Sequence, residues 1–258
     1  MDLGIKGRRV LITGASQGIV RAIALEFAKE GCKVAVIARR EEKLRELIEE
    51  IGGKEKGHAF LAADLMKKAE PARAVKELAK GGNFDIAVHN LGGTLGIKDP
   101  LAPVEDWNRV WQLNVGIAIE MNAVLIPPMR AQRWGRIIHI SSNSAEFLRG
   151  SPAYGAAKAY LNAYTRVLGR AVAKDGIVAS ALMPGAISSK GQDLGEESGL
   201  NLKAMEAFLK NREEFLRHQQ AIGRLGTPEE IAPFAVFMAS KHVTFAQASI
   251  IPVDGGTM

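Results

Sequence analysis

Tyr154 and Lys158 stand four residues apart in the segment "SPAYGAAKAYLNAY", which covers residues 151–164. In a helix, this spacing places both side chains on one face. A tyrosine hydroxyl can give a proton to a carbonyl oxygen during reduction, or remove one from an alcohol during oxidation. Because a free tyrosine has a pKa near 10, we expect the ammonium group of Lys158 to favour the phenolate of Tyr154 by lowering its pKa; a drop of ~3 pKa units would represent about 4 kcal/mol. The alternative is an ordinary pair in a helix interface, since alanines flank both residues.

Three more polar residues are candidates to join this pair. The apolar run at 136–141 predicts a strand, and Ser141 and Ser142 stand at its end, twelve to thirteen residues before Tyr154. Asn114 lies in "WNRVWQLNV", a pattern that predicts a helix. Taken singly, such residues can also cap or bridge the backbone, so a structural role stays open for each of them.

The segment "TGASQGIV" (13–20) follows the first apolar run and precedes a helical pattern. Gly14 and Gly18 permit positive φ and carry no Cβ, so phosphate oxygens can approach the backbone amides there. The helix that follows offers free N–H groups and the positive end of its dipole to an anion. The segment therefore predicts a nucleotide-binding loop, although many such glycine pairs are only turns. The other loop residues predicted to contact the cofactor are Ser16, Gln17 and Ile19.

Two arginines follow the second predicted strand, where NAD-binding folds usually carry an acidic residue. Arg39 and Arg40 are donors suited to a 2′-phosphate, which predicts NADP(H) rather than NAD(H) as the cofactor. The alternative is a solvated helix start at which they pair with Glu41 and Glu42. The ends of the third and fourth predicted strands supply four more candidate cofactor contacts: Asp64, Leu65, Asn90 and Gly92.

The glycine loop, the two arginines and the candidate serines each follow a short apolar run, and these runs alternate with helical patterns. The runs are continuous, as expected for strands that are buried on both faces. Their alternation with helices predicts an α/β fold, a doubly wound parallel sheet of about seven strands with helices on both faces. The runs cover residues 9–13, 33–38, 58–63, 85–90, 136–141, 177–183 and 248–253.

No repeat or linker divides the chain, so we expect a single domain over residues 1–258. A long insertion at about 187–222 interrupts the alternation of strands and helices, beside the predicted strand ends. We interpret it as a substrate lid; the alternative is a surface excursion without function. We expect the substrate pocket to be lined by 91–95, 143–147 and this insertion. Four residues indicate a partly apolar substrate: Phe147, Leu194, Met205 and Phe208.

The composition narrows the classes of function. The net charge is +6, but the basic residues are dispersed, which argues against nucleic-acid binding. Cys32 is the only cysteine, which excludes an internal disulfide and a cysteine-rich metal site and favours a reducing, cytoplasmic setting. The most apolar stretch, 115–129, carries Glu120 and Asn122 and is shorter than the ~20 residues a bilayer needs, so we expect a buried helix and no membrane contact.

Taken in order, the glycine loop, the Asn-x-Gly edge, the mid-helix asparagine, the strand-end serine and YxxxK resemble the short-chain dehydrogenase/reductase family. The segments "GRLGTPEEIAPFAVFMAS" and "IIPVDGG" near the C-terminus also match that family, so the resemblance covers nearly the whole chain. It implies a Rossmann-type fold and an NADP(H)-dependent oxidoreductase that interconverts a carbonyl and a secondary alcohol, with chemistry like that of 3-oxoacyl reductases.

The resemblance also implies roles for single residues. Lys158 would hydrogen-bond the nicotinamide ribose, Ser142 would donate to the substrate oxygen, and Asn114 would hold a water that relays protons. The segment "PGAIS" (184–188) would lie against the nicotinamide. Its predicted cofactor contacts are Pro184, Gly185 and Ile187.

The sequence departs from the family pattern in three places. Val20 replaces a third glycine, at an expected steric cost, and His89 and Leu91 alter the usual Asn-Asn-Ala-Gly edge. Counting from Ser142 gives one residue fewer to the tyrosine than is usual, so Ser141 is an alternative, although strand parity favours Ser142. At His89 we expect a packed side chain and no metal site.

Two rival functions stay open at this point: an epimerase or dehydratase on the same fold, and a non-catalytic NADP(H)-binding regulator. The helices predicted around 112–129 and 153–174 present apolar faces, which predicts a homodimer or homotetramer. The expected partner is a small carbonyl or alcohol substrate.

Overall fold

The computed structural model describes residues 1–14, 17–147, 150–188 and 219–257. Its centre is a seven-stranded parallel sheet in the order β3-β2-β1-β4-β5-β6-β7. The strands are β1 (Arg9–Thr13), β2 (Lys33–Ala38), β3 (Ala59–Ala62), β4 (Ile86–His89), β5 (Gly135–Ile140), β6 (Ile177–Pro184) and β7 (Ile250–Val253). Each strand falls within a predicted apolar run or passes it by one residue, so the predicted Rossmann-type doubly wound sheet is confirmed.

Eight α-helices connect and flank these strands within the described residues. They are α1 (Ile19–Lys29), α2 (Glu41–Glu50), α3 (Glu70–Ala79), α4 (Val104–Trp111), α5 (Ile117–Ala131), α6 (Ser144–Phe147), α7 (Pro152–Val172) and α8 (Pro228–Met238). A five-residue π-helix, Gln112–Gly116, joins α4 to α5. The strand order reverses between β1 and β4, and the crevice at such a switch point is where ligands bind in open α/β sheets.

The sheet separates two apolar cores, and this explains why the strands are apolar without alternation. In β1, Val10 and Ile12 belong to a core formed with α1, α2 and α8, whereas Leu11 belongs to a core formed with α3, α5 and α7. Both faces of the strand are therefore buried. A third, smaller core packs α4 and the π-helix against the first half of α7, through Val110, Val115, Ala153, Ala157 and Leu161.

Most of the predicted lid at about 187–222 lies outside the described residues, as do Leu194, Met205 and Phe208. Its two ends are described and lie close to the ends of β6 and β7. Ile187 forms a parallel bridge with Gly226, and Gln220 forms an antiparallel bridge with Thr257. The single-domain organisation and the lid stay predictions.

One helical stretch among the described residues, Val104–Ala131, is long and apolar enough to span a membrane by length and composition. It combines α4, the π-helix and α5, and 56% of its most apolar window is buried inside the fold. Met121, Leu125 and Met129 pack in the core against the sheet. This is the behaviour expected of the buried helix that we predicted for 115–129.

Candidate active site

Helix α7 positions the tyrosine and the lysine. Ser151 caps its first turn by accepting a hydrogen bond from the backbone N–H of Tyr154 (3.3 Å), and Pro152 stands at the first helical position. Lys158 is one turn further on; the residue is 2% exposed, and its Nζ lies 5.6 Å from the centroid of the Tyr154 ring. Nζ donates a hydrogen bond to the carbonyl oxygen of Ile140 at the end of β5 (2.8 Å).

The electrostatics of this pair differ from our expectation. Burial lowers the pKa of Lys158 to about 7, because the ammonium form loses its hydration. Burial also raises the pKa of Tyr154, an effect that a hydrogen bond with Ser142 opposes. The prediction that Lys158 lowers the pKa of Tyr154 is therefore wrong for this structure. With a pKa of about 7 the lysine carries only part of its charge at neutral pH, and its Nζ donates to the carbonyl of Ile140.

The loop after β5 separates the two candidate serines. The Ser141 hydroxyl is buried and donates to the carbonyl oxygen of Lys158 (3.4 Å), behind the helix. The Ser142 hydroxyl accepts from the backbone N–H of Ser144 (3.2 Å) at the start of α6, and it interacts with the hydroxyl of Tyr154. The structure thus brings Ser142, and not Ser141, to the tyrosine.

Asn114 lies in the middle of the π-helix and is buried. Its Nδ2 donates to the carbonyl oxygens of Val110 (2.8 Å) and Gly93 (2.9 Å), and its Oδ1 accepts from the backbone N–H of Gly93 (3.1 Å). These hydrogen bonds hold Gly93, in the segment after β4, against the π-helix. A Cβ added to Gly92 would lie 2.6 Å from Asn114 Oδ1 and 2.9 Å from Lys158 Nζ, so only a glycine fits between these two side chains.

The π-helix is a feature that the sequence reasoning missed. We predicted one continuous helix around 112–129, whereas the structure widens the turn at Gln112–Gly116 and begins α5 at Ile117. Such single-turn π-bulges occur frequently at functional sites. No residue type in "QLNVG" indicates a π-helix, because the apolar helical pattern continues through this segment.

Both glycines of the predicted nucleotide loop have positive φ. Gly14 and Gly18 have φ values of 80° and 65°, a region that favours glycine. Gly18 is the N-cap of α1 and makes no side-chain cap, so the first N–H groups of this helix are available to a ligand. Thr13 Oγ1 accepts from the backbone N–H groups of Asn90 (3.1 Å) and Leu91 (3.3 Å), which fixes the end of β1 against the end of β4. Ser16 lies outside the described residues.

Val20, the residue in place of a third glycine, is 1% exposed. It stands in the first turn of α1 and packs in the core that includes Ile23 and Phe27. Its side chain is therefore accommodated by the core behind the loop. The two phosphate-facing glycines, Gly14 and Gly18, keep their geometry.

The predicted 2′-phosphate donors are exposed at the start of α2. Arg40 Nη2 donates to Gln17 Oε1 in the glycine loop (2.7 Å), so this arginine is tied to the predicted nucleotide loop. Arg39 makes no hydrogen bond or ion pair with any described residue. Glu41, with which the arginines were expected to pair in the alternative interpretation, accepts from Arg45 (2.7 Å).

The remaining predicted cofactor residues lie along the same edge of the sheet. Asp64 closes a turn by accepting from the backbone N–H of Met66 (3.0 Å), and Leu65 is buried between them. Pro184 ends β6, and a Cβ added to Gly185 would lie 2.8 Å from Asp254, so the backbone passes close to β7 there. Every predicted cofactor residue that the structure describes is near the carboxyl end of a strand. No group of three histidine, cysteine or acidic side chains in the described ranges is placed to hold a metal ion.

A dinucleotide fits this edge by the chemistry of the residues present: two glycines with positive φ, a helix N-terminus without a side-chain cap, and Arg39, which has no hydrogen-bond partner among the described residues. Beside it stand a buried lysine, a tyrosine and a serine that interact. The fold and the site together define the class of nucleotide-binding oxidoreductases that act on CH–OH and C=O groups.

The comparison with known proteins identifies the family within this class. Residues 8–197 match the family model described as short chain dehydrogenase, and the chain belongs to this family. It is 31% identical to the 3-oxoacyl-(acyl-carrier-protein) reductase FabG of Chlamydia muridarum, with 99% of each chain covered.

Two solved structures extend the likeness to the fold. The L-sorbose reductase of Gluconobacter frateurii, solved with NADPH and L-sorbose, is 33% identical, with a TM-score of 0.86 and coverage of 100% of this chain and 98% of that one. A 3-oxoacyl (acyl-carrier-protein) reductase of Agrobacterium tumefaciens C58 with NADP bound is 25% identical, with a TM-score of 0.85 and coverage of 98% and 95%.

Proposed function

We propose that this protein is an NADP(H)-dependent oxidoreductase that interconverts a carbonyl and a secondary alcohol on a small, partly apolar substrate. The observation that carries the proposal is the interaction of the Ser142 and Tyr154 hydroxyls next to buried Lys158, beside the glycine-lined edge of the sheet. The half-exposed ring of Phe147 and the apolar side chain of Leu91 near this edge support a partly apolar substrate.

The bound nicotinamide would supply or accept a hydride at the substrate carbon. The Tyr154 hydroxyl donates its proton to the carbonyl oxygen during reduction, and Ser142 donates a hydrogen bond to the same oxygen, where negative charge develops. Lys158, whose pKa is about 7, can exist in both protonation states near neutral pH and can return the proton to the tyrosine. Asn114 holds the Gly92–Gly93 edge so that these groups keep their spacing.

Tyr154→Phe tests the chemical part of this proposal. We expect kcat to fall by about a hundredfold or more, because the proton donor is removed, while NADPH still binds. A matched control is Tyr160→Phe on the same helix, because Tyr160 is half-exposed and its ring packs edge-on against Trp111. A Tyr154→Phe variant with full activity on every substrate of the wild type would favour the non-catalytic regulator. A wild type that consumes no cofactor during turnover would favour the epimerase or dehydratase.

The preference for NADP(H) rests on Arg39 and Arg40, and it is supported by the NADPH- and NADP-bound relatives. A fluorescence titration with NADPH and with NADH measures it directly. We expect tighter NADPH binding in the wild type and about tenfold weaker NADPH binding in Arg39→Ala, with NADH affinity unchanged. Equal affinities for both cofactors in the wild type would contradict the preference.

Assembly, location and the lid complete the proposal. Tyr160 and Val167 leave apolar surface exposed on α7, and Leu101 and Val104 do so at the start of α4. These residues support a homodimer or homotetramer, which light scattering of the purified protein would detect. We place the protein in the cytoplasm. We keep 187–222 as a substrate lid because Ile187 lies close to the end of β6 and Gln220 bridges Thr257, close to the end of β7.

A further inference from the structure

A chain of buried polar side chains crosses the fold behind Asn114. His89 Nε2 lies 2.8 Å from Asn122 Oδ1, Asn122 Nδ2 lies 3.4 Å from His139 Nε2, and His139 Nδ1 lies 2.8 Å from Thr165 Oγ1. The chain therefore links β4, α5, β5 and α7. All four side chains are buried.

The direction of these hydrogen bonds can be worked out from one end. The Thr165 hydroxyl donates to the carbonyl oxygen of Leu161 (2.7 Å), so its oxygen accepts from His139 Nδ1–H. Burial lowers the pKa of both histidines, that of His89 to about 4, so both rings are neutral at pH 7. His139 Nε2 is then an acceptor for Asn122 Nδ2–H, and Asn122 Oδ1 accepts from His89 Nε2–H.

This assignment leaves a lone pair on His89 Nδ1. The residue is 5% exposed, and within the described residues Nδ1 has no hydrogen-bond partner. A buried acceptor without a partner costs about 1–3 kcal/mol. A group of this kind in a native fold calls for a specific explanation.

A small cavity lies next to His89. His89, Thr13 and Asn114 line it together with apolar side chains. The volume open to the centre of a water molecule is about 10 Å³, which is enough for one water. Each polar neighbour has hydrogen-bonding capacity left. The Thr13 oxygen accepts two backbone N–H groups, but its own proton goes to no described residue. Among the same residues, Asn114 Oδ1 accepts only from Gly93.

We propose that this cavity binds one water molecule and that His89 is a positioning residue for Asn114. The water donates to His89 Nδ1 and to Asn114 Oδ1 and accepts from the Thr13 hydroxyl. Three hydrogen bonds are typical of a buried water. The buried chain from Thr165 thereby reaches the π-helix and holds Asn114 from behind. The water site stands by itself, whereas its effect on turnover rests on the proposed function.

Two measurements on the wild type decide the water site. A high-resolution crystal structure should show one water within hydrogen-bonding distance of all three atoms. ¹⁵N NMR of the histidines should show His89 protonated at Nε2 only, with Nδ1 shifted as a hydrogen-bond acceptor. A dry cavity, or a His89 protonated at Nδ1, would overturn the proposal whether or not the protein is an active reductase.

His89→Leu tests the positioning role, and Thr165→Ser is its matched control, because it removes a buried methyl group but keeps the hydroxyl that orients the chain. We expect His89→Leu to lose the water and to lower kcat about tenfold, with the Kd for NADPH within about twofold of the wild type. Thr165→Ser should keep the water and most of kcat. Equal losses of kcat in the two variants would mean that general destabilisation is responsible and would refute the positioning role. If His89→Leu does not fold, the wild-type measurements still decide the site.

Discussion

Lys158→Met should make the protein more stable at neutral pH. In the folded protein, burial lowers the pKa of Lys158 from its ordinary value of 10.5 to about 7. The unfolded chain keeps the ordinary pKa, so between these two pH values the unfolded state binds more protons than the folded state. The free energy of unfolding contributed by Lys158 therefore rises with pH over this window and is lowest below pH 7. Integrating the difference in bound protons gives about 2 kcal/mol between pH 7 and pH 9.

Urea unfolding of the wild type and of Lys158→Met at both pH values measures this contribution. The wild type should gain about 2 kcal/mol relative to the variant as the pH rises from 7 to 9, because methionine carries no titrating group. Taking the difference between the two proteins removes the titrations that they share. Methionine retains the unbranched chain and loses only the hydrogen bond to Ile140. Equal pH dependence in both proteins would refute the lowered pKa and, with it, the explanation for why Tyr154 is not stabilised as a phenolate.

Three other experiments test separate parts of the structure. Gly92→Ala should lower kcat at least tenfold, since its Cβ would lie 2.6 Å from Asn114 Oδ1. Gly93→Ala is the control and should leave kcat nearly unchanged, because its Cβ would meet nothing nearer than 3.9 Å. Steady-state kinetics of both variants test this. Arg136→Met should lower the free energy of unfolding by about 3 kcal/mol, because the buried guanidinium donates to the carbonyl of Ser240, and urea titration measures it; an unchanged midpoint would contradict this. Asn122→Leu should shift the His89 Nε2 resonance in ¹⁵N NMR, and an unshifted resonance would contradict the buried chain.

The sheet could be predicted closely because its signal is local. Strands that are buried on both faces are continuous apolar runs, so β1 and β2 were predicted to the residue and β4 to within one residue at each end. The positions of several candidate site residues at strand ends could be predicted for the same reason. The ends of parallel strands lie on one edge, which brings Gly14, Asn90 and Ser142 to the same side of the fold.

What the sequence did not predict depends on tertiary packing. The π-helix at Gln112–Gly116 places Asn114 in contact with Gly93, a residue 21 positions away in sequence. The low pKa of Lys158 follows from burial beneath β5, which no residue type near it indicates. The spacing of Tyr154 and Lys158 predicts a shared helix face, but not the dielectric surroundings of that face.

The division of the apolar residues among separate cores has a consequence for how such a protein can diverge. Val20 is buried with α1 and α8 on one side of the sheet, whereas Ala153 and Ala157 of α7 are buried against α4 and the π-helix. Substitutions in distant packing units add independently in free energy. Substitutions around Val20 and substitutions around Ala153 and Ala157 are therefore expected to add in free energy, so each core can change its sequence without altering the stability cost of changes in the other.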